Sequence, residues 1–277
     1  MRRQTSDRST VLQEPGSSSL AELYHENSKL RWTNSRQYRD LIASVSNSPY
    51  IVEKMAHAYK AYSTAPQLRL PRLWDKDDHS SRIEAVIERR RTSRQFTSRS
   101  VSIVEISKLL HFSYGITGAA PISQSSAEEE FQYFRAAPSA GGLYPLELYL
   151  VLWRVTYLEP GIYHYSVVSH ALERLKTGDF SQLAGEYTFA PEIAEKACVL
   201  LIISAMFERT FFKYNERGYR FVWLDAGHLA QNVCLVATAL RLGVVPMGGF
   251  LDDELNRLID IDGVHESVIY PLFVGTL

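Results

Sequence analysis

An α+β fold in three layers, a sheet carrying helices on its faces, is what this sequence predicts. Two nearly continuous apolar runs, residues 146–153 (LELYLVLW) and 197–205 (ACVLLIISA), read as strands covered on both sides. A strand with one wet face would alternate apolar with polar residues instead. Between the second run and a third at 268–274 (VIYPLFV) lies a helix over roughly 222–241. Its stripe (Val222, Ala226, Leu229, Val233, Ala237, Leu240) recurs at helical spacing, and Gly243 follows as a stop.

The other elements follow in chain order. Residues 1–20 are polar and Ser-rich, with too little apolar surface to offset the entropy of ordering, so a disordered tail is expected. Residues 21–79 are expected to form a helical extension bearing Tyr24, Trp32, Tyr38, Tyr50, Tyr59 and Tyr62, with Pro66 and Pro71 marking a connection. The main domain runs from 80 to 277. Ile83, Val86 and Ile87 follow the i, i+3, i+4 rule, which predicts an amphipathic helix over 81–91. Ser102 and Glu105 have the spacing of a capping box, ahead of a helix with Ile103, Ile106, Leu109 and Leu110 that Gly115 terminates. Residues 119–130 (AAPISQSSAEEE) read as an exposed loop, and 162–175 as two short strands joined by a turn. Pro271 cannot donate to a ladder, which puts the last strand at an edge or a bulge.

Composition narrows the function classes. The 277 residues are 45% hydrophobic, enough for a sizeable core. Thirty basic and 31 acidic residues give a net charge of -1, which argues against nucleic acid as a partner. No apolar run approaches the roughly 20 residues of a membrane helix, and the N-terminus lacks a secretory apolar stretch. A cytoplasmic protein is expected. Cys198 and Cys234 sit in apolar segments without a second Cys or His at ligand spacing, so they read as buried thiols, with no metal site.

Four segments carry chemistry. In Arg89-Arg90-Arg91-Thr92-Ser93-Arg94-Gln95-Phe96, arginine forks and hydroxyls suit phosphate oxygens, although such a run also reads as a solvated face. With no P-loop or dinucleotide fingerprint in the chain, a phosphate-bearing cofactor has to be held by side chains such as these. In Pro138-Ser139-Ala140-Gly141-Gly142-Leu143-Tyr144-Pro145, the glycines either let backbone approach a flat ligand or simply turn the chain into a strand. Gly248-Gly249-Phe250 offers backbone N–H groups that could face an electron-accepting ring nitrogen, although a lone Gly-Gly is a weak signal. In Lys213-Tyr214, Tyr would act as acid or base with Lys lowering its pKa; the alternative is an exposed loop. His228, three residues after Asp225, reads as an oriented base or as a core histidine.

Taken in order, RRRTSRQF, PSAGGLYPLELYLV, GIYHY, the Lys213-Tyr214 pair, RGYR, LDAGHLAQN, the ALRLG-to-GGF stretch and LDDELNRLIDIDGVHE resemble the SagB-type dehydrogenases. This branch of the FMN-dependent nitroreductase superfamily includes the azoline oxidases of thiazole/oxazole-modified peptide pathways. The resemblance covers about Ser80 to Leu277, and Tyr24-His25-Glu26-Asn27-Ser28-Lys29 is similar to a short N-terminal motif of the group. It implies a nitroreductase-like fold with a mostly antiparallel central sheet flanked by helices, FMN as cofactor, and a homodimer with the flavin at the subunit interface. Arg90, Arg91, Thr92 and Arg94 match the phosphate and ribityl segment, with Thr92 where the family generally has Ser. Pro138, Ser139, Ala140, Gly141 and Gly142 match the loop that touches the isoalloxazine, expected from the partner subunit. Gly248 and Gly249 match backbone at the flavin edge, and Lys213 and Tyr214 the pair implicated in azoline oxidation. Many nitroreductases end in basic residues that clasp the phosphate; the last ten residues here hold none, which shifts that task onto the arginines.

The reaction so implied is desaturation of a thiazoline or oxazoline in a ribosomally made precursor peptide, in association with a cyclodehydratase complex. Tyr214, assisted by Lys213, would take the proton. Two other readings stay open: an FMN enzyme acting on a small molecule with NAD(P)H, and a non-catalytic scaffold of such a complex.

Overall fold

The computed structural model describes residues 20–29, 31–73, 82–121 and 131–277. Most of the expected tail, the boundary at Ser80 and the 122–130 part of the expected loop lie outside the described residues.

The two longest apolar runs become neighbouring strands at the centre of one sheet. Strand β5 (Leu146–Leu152) pairs antiparallel with β9 (Val199–Met206). Alternate side chains enter different cores: Leu146, Leu148, Leu150, Leu201 and Ile203 on one face, Tyr149, Val151, Leu200 and Ile202 on the other. Both faces are dry, which is why the runs are apolar throughout. Outward from this pair lie β7 (Gly161–Ser166), β8 (Ala171–Thr177) and β1 (Gln67–Arg69) on one side. On the other lie β11 (Glu266–Thr276) and β10 (Leu242–Pro246). Every pairing in this seven-stranded sheet is antiparallel, while outside it the short β2 (Val101–Ser102) and β6 (Val155–Thr156) pair parallel.

Helices complete the layers. On one face α5 (Ile103–Tyr114) packs against α9 (Arg217–Ala239), which also meets β5, β10 and β11. On the other, α6 (Ser181–Tyr187), α7 (Pro191–Lys196) and α10 (Asp252–Leu258) cover β5 and β11. Ahead of them come α1 (Leu20–Asn27), α2 (Trp32–Ser46), α3 (Pro49–Ala56) and α4 (Ile83–Arg89). The short helix α8 (Glu208–Tyr214) joins β9 to α9. Among the described residues, no helix is long and apolar enough to cross a membrane.

Several expectations hold in detail. Ser102 Oγ accepts from Glu105 N at 3.1 Å while the Glu105 carboxylate accepts from Ser102 N at 2.7 Å, the predicted capping box. Both cysteines are free and buried. The last strand meets Pro271 with a bulge, between Val268 and Tyr270. It is no edge strand, since β9 and β10 flank it. Pro271 O accepts from Met247 N, just past the end of β10, so the missing donor falls where the ladder stops.

Others need correction. Residues 119–121 belong to strand β3 (Ile116–Pro121), paired with β4 (Phe131–Arg135), because cross-strand bonds outweigh their weak strand propensity. Helix α9 begins five residues before the apolar stripe, at Arg217, and stops at Ala239. Its end does not use Gly243: Arg241 takes the left-handed turn at φ 59°. Gly243 instead faces Gly275 across β10 and β11, where a Cβ on either would come within 2.8 Å of the Phe96 ring. The arginine segment thus docks through Phe96.

Candidate active site

In an antiparallel sheet, β5 begins at the same end at which β9 and β10 finish. The loop before β5, the α8 turn after β9 and the Gly248-Gly249 segment therefore all leave the sheet toward one end.

The loop before β5 is pinned from several sides. One turn of 3-10 helix (Ala140–Gly142) holds Gly141 at φ 64° and Gly142 at φ 67°, and Tyr144 follows at φ 47°. These left-handed backbones suit glycine and cost other residues about 1–2 kcal/mol each. Ser139 Oγ donates to Asp225 Oδ2 at 2.5 Å and accepts from Tyr144 N at 2.9 Å. Asp225, buried on α9, also accepts from the Ala140 backbone. Burial raises its pKa, against the pull of those two bonds and of His228. Gln132 Nε2 donates to Gly142 O at 3.2 Å, and Arg209 Nη1 to Tyr144 O at 3.2 Å.

Lys213 and Tyr214 end α8, where Asn215 breaks the helix at φ 47°. They are not an exposed loop: Lys213 is only 8% exposed. A Cβ on Gly141 would lie 2.5 Å from Tyr214 Oη and 3.2 Å from Lys213 Nζ. The structure thus brings two segments some seventy residues apart in sequence into contact, and excludes any side chain between them. The Tyr214 ring stands edge-on to Phe221, with centroids 4.9 Å apart, and lies beside Tyr38 at 6.5 Å. Lys213 Nζ lies 5.6 Å from the Tyr214 ring centroid. Burial pushes the Lys213 amine below its ordinary pKa. Burial, with Tyr38 and Asp225, pushes the Tyr214 phenol up. Lys213 does not lower Tyr214 as anticipated: burial disfavours the charged form of each group.

The arginine segment lies along the far edge of the sheet. Thr92 bridges to Val244 of β10, and Ser93 N donates to Val244 O at 3.1 Å. Arg90, half-buried at the end of α4, is near enough to Cys234 on α9 to act on its thiol. Arg94 instead lines a cleft with Glu192, Ile193 and Lys196 at α7. Arg91 donates to the backbone oxygens of Glu88 and Arg90. Pro138 is exposed, as are Gly248 and Gly249, and a Cβ on either of these glycines would meet nothing within 4 Å. Two strands, β9 and β11, separate β10 from β5, a span of roughly 14 Å at strand spacing. Among the described residues no hydrogen bond joins the arginine or Gly248-Gly249 segments to the loop before β5. One chain does not bring all the predicted residues together.

His228 is exposed on α9, so it is not a core histidine, and Asp225 bonds Ser139 and Ala140 rather than orienting it. Sequence reasoning missed Ser139–Asp225 as a pair and Tyr38 as a neighbour of Tyr214. Ser139 and Asp225 were each visible in their own motifs, but they lie 86 residues apart and no local signal pairs them.

The comparisons with known proteins agree with this architecture. A model described as the nitroreductase family matches residues 87–276. Over 185 residues the chain is 33% identical to a provisionally named nitroreductase of Methanocaldococcus jannaschii, covering 67% of this chain and 87% of that protein. It is 30% identical over 148 residues to the microcin B17-processing protein McbC of Escherichia coli, covering 50% of this chain and 52% of that one. The match thus spans about half the length of the microcin relative. A solved structure of a provisionally named nitroreductase from Anabaena variabilis superposes with a TM-score of 0.69 at 30% identity, covering 93% of this chain and 46% of that one. By its antiparallel sheet, its ordered segments and these matches, the chain belongs to the nitroreductase family.

Proposed function

We propose that this protein is an FMN-dependent dehydrogenase that oxidises thiazoline or oxazoline rings to thiazoles or oxazoles in a ribosomally made peptide. The observation that carries the reading is the contact of Gly141 with Tyr214 Oη and Lys213 Nζ. It joins the glycine loop and the Lys-Tyr pair at one place in the fold. The relation to McbC, a microcin-processing protein, supports a peptide substrate, and a cyclodehydratase that forms the rings is the partner proposed.

The residues fit FMN. Among the described residues Arg90 and Arg94 have no ion-pair partner, which leaves their charge available for a phosphate. The open space over Gly248 and Gly249 gives a flat ring room to approach backbone. Arg90, Arg91, Thr92 and Arg94 would hold the phosphate and ribityl chain. Since Arg94 lines the cleft at α7, the main anchor proposed is Arg90. Pro138 to Gly142 would flank the ring from a second copy of the chain, making the site that of a homodimer. In support, α4 and α9 pack together yet expose Ile83 (55%), Ile87 (54%), Trp223 (45%) and Leu224 (57%). The loaded protein is expected to sediment at twice the chain mass; a monomer would refute the dimer.

Ring oxidation removes two hydrogens, one as a proton and one as a hydride that carries the electron pair. Bound FMN supplies the acceptor for the electron pair. Burial favours the neutral Lys213 amine, so proton abstraction from the ring carbon falls to Lys213. Tyr214 keeps its proton and, braced by Phe221, offers an O–H that orients the ring. In the FMN-loaded protein, Lys213→Ala should slow two-hydrogen loss from a thiazoline peptide, read by mass spectrometry, by about 100-fold or more. Full turnover in both Lys213→Ala and Tyr214→Phe would sink the assignment. The Methanocaldococcus relative, matched over 87% of its length, favours a second reading, reduction of a small molecule with NAD(P)H. Steady NAD(P)H consumption with a nitroaromatic, and no reaction with the peptide, selects it.

A further inference from the structure

A cavity of about 610 Å³ opens beside Tyr214, between the N-terminal helices α1 and α2 and the α8–α9 turn. That volume is in the range of small-ligand pockets. Tyr38 and Tyr214 share its lining, with their ring planes 31° apart. Its outer wall is built in place. Arg220 Nε donates to the buried Ser28 Oγ at 2.9 Å, and Arg220 Nη2 to His25 O at 2.7 Å. Arg217 Nη1 donates to Ser28 O at 3.1 Å, and Tyr24 Oη to Glu216 O at 3.1 Å. The Tyr24-to-Lys29 motif, which no step of the chemistry uses, therefore fastens α1 to α9 and keeps the cavity's wall in position.

The lining is mixed. Lys29 and Arg217 are balanced by Asp40 and Glu216, which gives no net attraction for a polyanion such as a dinucleotide. Asn27, Gln37 and Ser44 add uncharged donors and acceptors, the groups that pair with peptide N–H and C=O. We propose that this cleft receives the peptide chain flanking the reacting ring, as a neutral, extended segment lying between α2 and α8 that delivers the ring to Tyr214. The proposal rests on the dehydrogenase reading only for the reaction that follows binding.

The test titrates the FMN-loaded full chain with a fluorescein-labelled decapeptide carrying one central thiazoline, read by anisotropy. Ser44→Trp fills the cleft from the exposed face of α2, away from the flavin residues. Its Kd should rise about tenfold or more, with the far-ultraviolet dichroism of the wild type. An unlabelled, unmodified decapeptide of the same sequence should compete in the wild type, since backbone is what the cleft reads. No binding to the wild type, or an unchanged Kd in a folded Ser44→Trp, overturns the proposal; if that variant unfolds, Gln37→Trp decides in the same way. Binding that the variant weakens, without loss of two hydrogens from the ring, keeps the cleft and removes the dehydrogenase reading. Equal ring oxidation and equal Kd in wild type and variant do the reverse.

Discussion

The loop before β5 and the segment along β10 contain the same kinds of residue, glycines beside charged or hydroxyl side chains, yet one is closed and the other open. Gly141 is hemmed in by Tyr214 and Lys213, and Asp225 and Gln132 hold the backbone around it. A Cβ on Gly248 or Gly249 would meet nothing within 4 Å, and among the described residues neither Arg90 nor Arg94 forms an ion pair. The lesson is about completeness. Within one chain the loop before β5 is packed and hydrogen-bonded, whereas the segment along β10, which the proposed function assigns to the cofactor's phosphate, is open.

Substitution of the closed glycine should break the comparison most sharply. Gly141→Ala incurs the left-handed penalty of about 1–2 kcal/mol and collides with Tyr214, so both melting temperature and azoline turnover should fall. Gly249→Ala, in open space, should leave the melting temperature of FMN-free protein unchanged and weaken FMN retention. Equal melting shifts in the two would erase the distinction. Next in size is Asp225→Ala, which strands Ser139 Oγ and the Ala140 N–H at a cost of about 1–3 kcal/mol. Chemical denaturation should register that loss, and Asp225→Asn should recover part of it.

The open half is sharpened by paired arginine variants. Arg90→Ala should weaken FMN binding about tenfold, the scale of one hydrogen bond to a charged group, with the FMN-free melting curve unmoved. Arg94→Ala should matter less, because Arg94 turns toward α7; the opposite ranking by flavin fluorescence would reassign the anchor. The smallest effect is a displaced pH profile. Burial lowers the Lys213 pKa, so its amine loses a proton at lower pH than a free lysine does. As a base it acts only when deprotonated, so turnover should rise with pH through that depressed pKa and level off above it. Tyr214→Phe should keep the rising limb; its disappearance would move the base role to Tyr214.

Legibility followed the range of the interactions. The capping box of α5 was readable because its partners are three residues apart. Strands β5 and β9 were readable because burial on both faces leaves an apolar run. Strand β1 was not: all three of its residues are exposed, and only pairing with β8 makes it a strand. Strand β3 was hidden by Ala119, Ala120 and Pro121, which read as loop until β4 lies beside them. In the site, the glycine loop and the Lys-Tyr pair were visible as segments, but their contact was not.

By itself, then, the sequence determined the long helices and the central strands, the apolar faces that force a three-layer packing, and the residue types at the site. Those follow from propensity, periodicity and capping, which act over a few residues. Only the tertiary structure decided that Gly141 meets Tyr214, that Asp225 holds Ser139, that Arg90 and Arg94 part company, and that the N-terminal motif walls a cleft. Each of these depends on chain separated by tens to hundreds of residues coming together, and the sheet's register sets that geometry.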